Sequence, residues 1–448
     1  MSEESSRIAV GTTSISQTLQ ASSSVLHEAV SRFKVWFSCR GYMNSPSPLR
    51  YPLFRALWVA SLIANTCFWM QSVGAAWLMV TLSGSALMVA LIQTAISLPA
   101  FFFGLPAGVL ADLLSRRWLL VAIHVGMLLV GILLVLLGDL LAPWGLLALV
   151  FLMGVGTALS LPTCQASIAD TVPKAALVPA IAINSVAYNA ARALGPAIAG
   201  LVIVRLGVEA VFILNLAMLL FVLGIFIFRY KPRPVPVIAP ERMSGAMATG
   251  LRFIRHAQHL HGYLYRAIAF VGCASALWAL LPLLAVSVAD GSSAVYGYLL
   301  ACLGLGAVVG GLLLNRMRAW FTSFDALLRF AAVSFAGCML AVAWLPVLPL
   351  VGLALVVAGL AWIAFSSTLN AAFQSHLPSA LRARSIAVLL LAFQGAMALG
   401  GLLWGGLAEA VGVPRALSVA ALCIGPGLLW AHRHGIATSL GVESRGGE

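Results

Sequence analysis

The sequence predicts an all-α integral membrane protein of twelve transmembrane helices, folded as two six-helix bundles related by a pseudo-two-fold repeat. Three observations predict it. Of 448 residues, 62% are hydrophobic and only 9% charged, with a mean hydropathy of +1.03. A soluble domain carries roughly 25% charged residues, so this chain could not cover a water-facing surface and a bilayer must be its solvent. Apolar stretches of the roughly 20 residues that one span requires recur from Phe54 to Trp430. Finally, the two halves of the chain repeat each other in their glycine, proline and amide positions.

Residues 1–50 are Ser-rich and have no apolar core followed by a small-residue cleavage site, so they are not a secretory signal. They are expected to form a cytoplasmic tail without a fold of its own, carrying a short interfacial helix around Phe33, Trp36 and Phe37. The first bundle, 51–230, has spans at 54–81, 86–111, 117–138, 144–169, 178–205 and 210–229. A central loop, 231–262, is Pro-rich and then basic and amphipathic, which suits the membrane surface. The second bundle, 263–435, has spans at 264–288, 293–315, 325–345, 348–374, 384–410 and 415–433, and 436–448 is a second tail.

Charge sets the orientation. With both termini cytoplasmic, all of the 26 Lys and Arg except Arg192, Arg205 and Arg415 fall inside or at inner helix ends, as the positive-inside rule requires. The net charge of +13 is thereby explained without nucleic acid. Seven cysteines without a CxxC spacing indicate neither zinc nor a redox pair and read as small buried residues. His256, His259 and His261 cluster beside Arg252 and Arg255 with no carboxylate or thiol nearby, so no metal site and no cofactor are expected.

The repeat is ordered along the chain. At one offset Gly108 and Asp112 fall on Gly311 and Asn315. At a second, Pro173, Gly195, Gly200 and Gly207 fall on Pro378, Gly400, Gly405 and Gly412, and Asn189 falls on Gln394. A parallel six-helix repeat joined by a basic loop implies two bundles rocking about a midplane site.

The motif Gly108-x-x-x-Asp112-x-x-x-Arg116-Arg117 resembles that between the second and third helices of the major facilitator superfamily, with Ser115 where that family usually has glycine. ALGPAIAG (193–200) is similar to the fifth-helix motif found chiefly in exporters, with Gly195, Pro196 and Gly200 in place and Ala191 and Ala199 replacing two usual glycines. Residues 54–79 resemble, more narrowly, the branch containing the enterobactin exporter and related bacterial efflux proteins. The resemblance covers 51–435. It implies a secondary active transporter of the bacterial cytoplasmic (inner) membrane, monomeric, exporting amphipathic siderophore-like or drug-like molecules by alternating access against protons. It also implies a conformational latch in which Asp112 meets Arg116, Arg117 and the eleventh-helix start at Arg382 and Arg384 while the cytoplasmic side is closed. A guanidinium pair and a helix N-terminus would answer the charge of that carboxylate; a static helix cap is the alternative. Pro196 bends the fifth helix by removing a backbone hydrogen bond, while Gly195 and Gly200 admit a close neighbour.

Asn184, Tyr188 and Arg192 recur at i, i+4 and i+8 and give the fifth helix a polar stripe. Their repeat partners Leu389, Phe393 and Met397 are apolar, so one wall of a cavity offers hydrogen bonds and a positive charge while the other is aromatic and aliphatic. Asn65, Trp69, Gln93, Asn189, Asn370 and Gln394 are further cavity candidates. No carboxylate is expected in the middle of a span, so no proton carrier is named; His124 titrates in the right range but also suits a packing role. Uptake, flipping of a lipid or lysolipid, and a non-transporting membrane sensor remain alternatives, because fold does not fix substrate or direction. No catalytic set points to an enzyme.

Overall fold

The computed structural model describes residues 47–230, 258–288, 292–375, 377 and 382–432, and within these the side chains of Asp112, Arg382 and Arg384 are not described. Twelve long helices follow in order: α1 (Pro52–Leu82), α2 (Ala86–Leu113), α3 (Arg116–Leu137), α4 (Pro143–Ala169), α5 (Lys174–Leu206), α6 (Val208–Gly224), α7 (Gln258–Ser287), α8 (Ser293–Trp320), α9 (Phe324–Trp344), α10 (Leu348–Ser375), α11 (Arg382–Val411) and α12 (Val413–His432). Eleven are long and apolar enough to cross a membrane, and α12 contributes the shorter apolar stretch Val413–Leu428. Described residues contain no strand. The two tails and most of the central loop lie outside the described residues.

Starts and stops follow local chemistry. Pro52 and Pro143 open α1 and α4, where a missing N–H costs nothing. Ser85 caps α2 by accepting from Met88 N at 3.3 Å, and Ser323 caps α9 by accepting from Ala326 N at 3.1 Å. Helix α6 continues into a π turn, Ile225–Arg229. Gly207 and Gly412 end α5 and α11 at φ 88° and 87°, a left-handed conformation that only glycine adopts freely. These are repeat partners, so the duplication is written in the backbone as well as the sequence. Two helix starts differ from expectation by four residues or more. Helix α5 begins at Lys174 because Pro173 stands outside it as the N-cap. Helix α7 is already helical at Gln258, the first residue described after the central loop, so His259 and His261 belong to it; His256 lies outside the described residues.

Packing obeys the pseudo-two-fold axis. In the first bundle α1 packs on α5 and α6, α4 on α2 and α3, and α3 on α6; in the second α7 packs on α11 and α12, α10 on α8 and α9, and α9 on α12. The bundles meet along two symmetric seams, α2 against α11 and α5 against α8.

Candidate functional site

The face holding the start of α2 and the end of α11 is here called distal; the start of α1 and the end of α12 lie toward the other, proximal face. The distal half of each seam is closed. Glu409 Oε2 on α11 accepts from Ser85 Oγ at 3.0 Å and from Leu87 N at 3.1 Å, so a carboxylate from one bundle caps a helix of the other. Deeper, Thr94 Oγ1 donates to Ala398 O at 2.7 Å. Across the other seam, a Cβ on Gly200 would sit 2.6 Å from Gly297 Cα, so the backbones of α5 and α8 touch. Gly195 serves a different neighbour, α1, because a Cβ there would meet Trp69 Cβ at 2.7 Å. Further toward the proximal face Phe102 on α2 and Leu390 on α11 are each 56% uncovered.

Beneath the distal closure lies a cavity of about 220 Å³ walled by both bundles. Of the expected candidates it gathers Trp69, Gln93, Tyr188, Arg192 and Gln394. Sequence reasoning missed Phe68, Ser72, Trp278, Tyr296 and Trp362, which make much of the wall aromatic. Arg192 Cζ stands 5.6 Å from the Trp69 ring centroid, a cation–π contact. Among the described residues it has no carboxylate partner. Trp69 Nε1 is buried without a hydrogen-bond partner, and Gln93 Nε2 donates to Ser97 Oγ at 2.9 Å. The cavity therefore holds two unanswered N–H donor groups, one cationic, amid aromatic rings.

Other candidates lie elsewhere. Asn65 donates to Ser61 O at 2.7 Å and faces the interior of the first bundle. Asn184 Oδ1 is buried without a partner, and Asn189 donates back to Ser185 O at 2.8 Å. Asn370, which accepts from Gln374 Nε2 at 2.6 Å, shares with Phe393 a separate recess of about 140 Å³ between α10 and α11. Asn65, Asn189 and Asn370 bond within their own helices because a polar group inside a helix bundle takes the nearest backbone or amide partner.

At the proximal face the basic pair divides its work. Arg116 forms an ion pair with Asp170 and donates to Ala111 O at 3.2 Å and Ala166 O at 3.3 Å, tying the α2–α3 turn to α4. Arg117 reaches α6, donating to Phe226 O at 3.2 Å and also to Ile227 O; its expected contact with Asp112 falls on a side chain outside the described ones. The π turn strands carbonyls at a helix C-terminus, where a cation is favourable. The second bundle has a counterpart of the Arg116–Ala166 bond: Arg318 donates to Ser367 O at 3.2 Å. A Cβ on Gly108 would meet nothing within 4 Å. Sequence reasoning also passed over a buried ion pair in that bundle, Arg266 Nη2 to Asp325 Oδ1 at 2.8 Å, joined by Arg329 at 3.3 Å. The Ser323 cap two residues before Asp325 was the available signal.

A family described as transmembrane secretion effector matches residues 43–440. The uncharacterized MFS-type transporter YfiS of Bacillus subtilis (strain 168) is 26% identical over 180 residues, 39% of this chain and 42% of that protein, so the match spans less than half of the relative. Among solved structures, a point mutant of the nucleoside transporter NupG superposes with a TM-score of 0.73 at 12% identity, covering 85% of this chain and 99% of the other. A bacterial homolog to the human lysosomal transporter Spinster, inward-facing and occupied, gives 0.68 at 16% identity over 87% and 97%. Twelve helices in two symmetric bundles, a cavity between them and a family match over almost the whole length converge, and the chain belongs to the transmembrane secretion effector family of major facilitator transporters.

Proposed function

We propose that this transporter exports small amphipathic anions from the cytoplasm, driven by protons and working by alternating access. The observation that carries the reading is Arg192, a guanidinium without a carboxylate partner among the described residues, in an aromatic cavity shared by both bundles. Holding a charge at that depth costs at least a few kcal/mol unless water, a partner or a ligand answers it. A planar guanidinium donates to a carboxylate, phenolate or sulfonate in a fork, while Trp69, Trp278 and Trp362 stack on an apolar body. The Lys and Arg distribution supports cytoplasmic termini, and the distal closure then faces outward. The exporter-type motif of α5, whose Gly200 lies against Gly297 across the α5–α8 seam, supports the outward direction.

Two dyes that differ by one sulfonate test the reading. Proteoliposomes or expressing cells should extrude both 8-anilinonaphthalene-1-sulfonate and neutral N-phenyl-1-naphthylamine. Arg192→Gln should lower extrusion of the sulfonate at least tenfold and of the neutral dye less than twofold, and Arg192→Lys should retain part of the first. Equal loss of both dyes in Arg192→Gln, with normal membrane expression, would make the residue structural.

A further inference from the structure

Asn215 on α6 and Gln71 on α1 face each other inside the first bundle, away from the substrate cavity. Asn215 Nδ2 donates to Gln71 Oε1 at 2.5 Å and to Cys67 O at 3.2 Å. That leaves Asn215 Oδ1, an acceptor, and Gln71 Nε2, a donor, buried with no partner. An orphaned donor and acceptor side by side in an apolar interior carry an uncompensated desolvation cost that one water removes. Both residues line a cavity of about 20 Å³ together with Ser72 and Thr157, and a water needs roughly 10–15 Å³ measured this way. The space and the polar partners agree.

This pocket is not isolated. Thr157 and Phe68 also line a second cavity, of about 40 Å³, with Ser61, Asn65, Ser160 and His124. Phe68 and Ser72 line the substrate cavity as well. Three spaces, each with a few polar side chains in a mainly apolar wall, therefore share lining residues from His124 to the chamber that holds Arg192. Phe68 stands edge-on to its neighbour Trp69, centroids 5.3 Å apart, so the ring beside Arg192 rests on the ring that bounds all three spaces.

His124 is suited to this place. Its Nδ1 lies 2.9 Å from Leu120 O. A carbonyl only accepts, so Nδ1 carries the hydrogen and Nε2 keeps its lone pair. Phe226 meets the ring edge-on at 4.8 Å. The second cavity is walled by α1, α3, α4 and the end of α6, and no carboxylate, lysine or arginine is among its lining side chains; the one other titratable group there is the Cys164 thiol. Asn65 spends its Nδ2 on Ser61, leaving Oδ1 as an acceptor for an N–H in the same space.

We infer that the interior of the first bundle holds a hydrated proton site, with His124 Nε2 as the base and the Thr157–Gln71–Asn215–Ser72 path as its connection to the substrate cavity. The inference rests on the transport reading above and names its coupling group. A proton from the water path forms a bond to Nε2, giving imidazolium while Nδ1–H stays on Leu120 O; the same Nε2–H bond breaks on release to water. The walls of the substrate chamber and of the proton path include adjacent residues of α1, Trp69 and Phe68, so motion of Trp69 with the anion shifts the Phe68 wall of the path.

The test separates driving from exchange. Purified protein in proteoliposomes is loaded with 8-anilinonaphthalene-1-sulfonate, and transport is read once with an imposed pH gradient and once as counterflow without one. Wild type should accumulate the dye severalfold more with the gradient. His124→Gln should lose at least tenfold of gradient-driven transport while counterflow falls less than threefold. Asn215→Leu, which fills the water pocket and leaves His124 in place, should slow the gradient-driven rate severalfold and keep its pH midpoint; it also serves should His124→Gln fail to reach the membrane. Gradient-driven transport in both variants at the wild-type ratio to counterflow would overturn the proton site and leave the transport reading standing. Absence of counterflow in the wild type would instead remove the transport reading itself.

Discussion

Glu409 and Ser85 stand at opposite ends of the chain, yet the hydroxyl of Ser85 donates to the Glu409 carboxylate at 3.0 Å while the same serine caps α2. The carboxylate completes that helix start from the other bundle. Capping interactions of this kind are worth about 1 kcal/mol, which corresponds to roughly a fivefold shift between two states. Glu409→Gln should therefore raise the distally open population about fivefold. Spin labels on the distal ends of α2 and α11 measure the distance distribution, and an unchanged distribution would show that the bond is incidental.

Gly200 leaves no room for a side chain, because Gly297 Cα occupies the place of its Cβ. Gly200→Val should prevent closure of the α5–α8 seam and hold the distal side ajar. A cysteine placed at Ser72 should then react with an impermeant maleimide from the outside several times faster than in the parent protein.

Asp325 neutralises Arg266, which is 2% exposed. Removing one partner of a buried pair costs about 3–5 kcal/mol, since it strands the other charge. Asp325→Asn should lower the thermal midpoint in detergent by several degrees, whereas replacing Arg266 and Asp325 together by leucine should restore most of it. A drop of equal size in the double variant would point to packing and not to charge.

Asp112 lies one residue beyond Ala111, whose carbonyl Arg116 holds. Asp112→Asn keeps size and removes charge. Dye extrusion should fall at least tenfold with membrane expression intact if this carboxylate latches the bundles, and should stay near the parent level if it only caps α2.

Orientation has a direct measurement. Reporter fusions after Arg233 and at the C-terminus should read cytoplasmic, and one after Leu140 external; an external C-terminus would reverse the assignment of the distal face to the outside.

The helices were legible because a bilayer demands apolar length, and the described chain states that length eleven times, with a shorter twelfth stretch in α12. Arg192 and Tyr188 were legible because polar residues at helical spacing are conspicuous in an apolar helix. Trp278, Tyr296 and Trp362 were not: with lipid outside, an aromatic residue facing the cavity has no sequence signature that separates it from one facing the membrane. Asn65 and Asn370 lie outside that cavity for the converse reason, since a polar residue can satisfy itself within its own bundle. The Glu409–Ser85 bond joins positions that no local pattern relates.

The two seams between the bundles are symmetric in placement and unlike in substance. Along α2 and α11 discrete bonds hold, those of Glu409 and Thr94; along α5 and α8 two glycine backbones lie bare against each other. Bonds must break before their seam parts, whereas bare backbones slide with no bond to lose. The distal side thus resembles a door with a catch on one jamb and a bearing on the other, and the activation barrier to opening belongs to the catch.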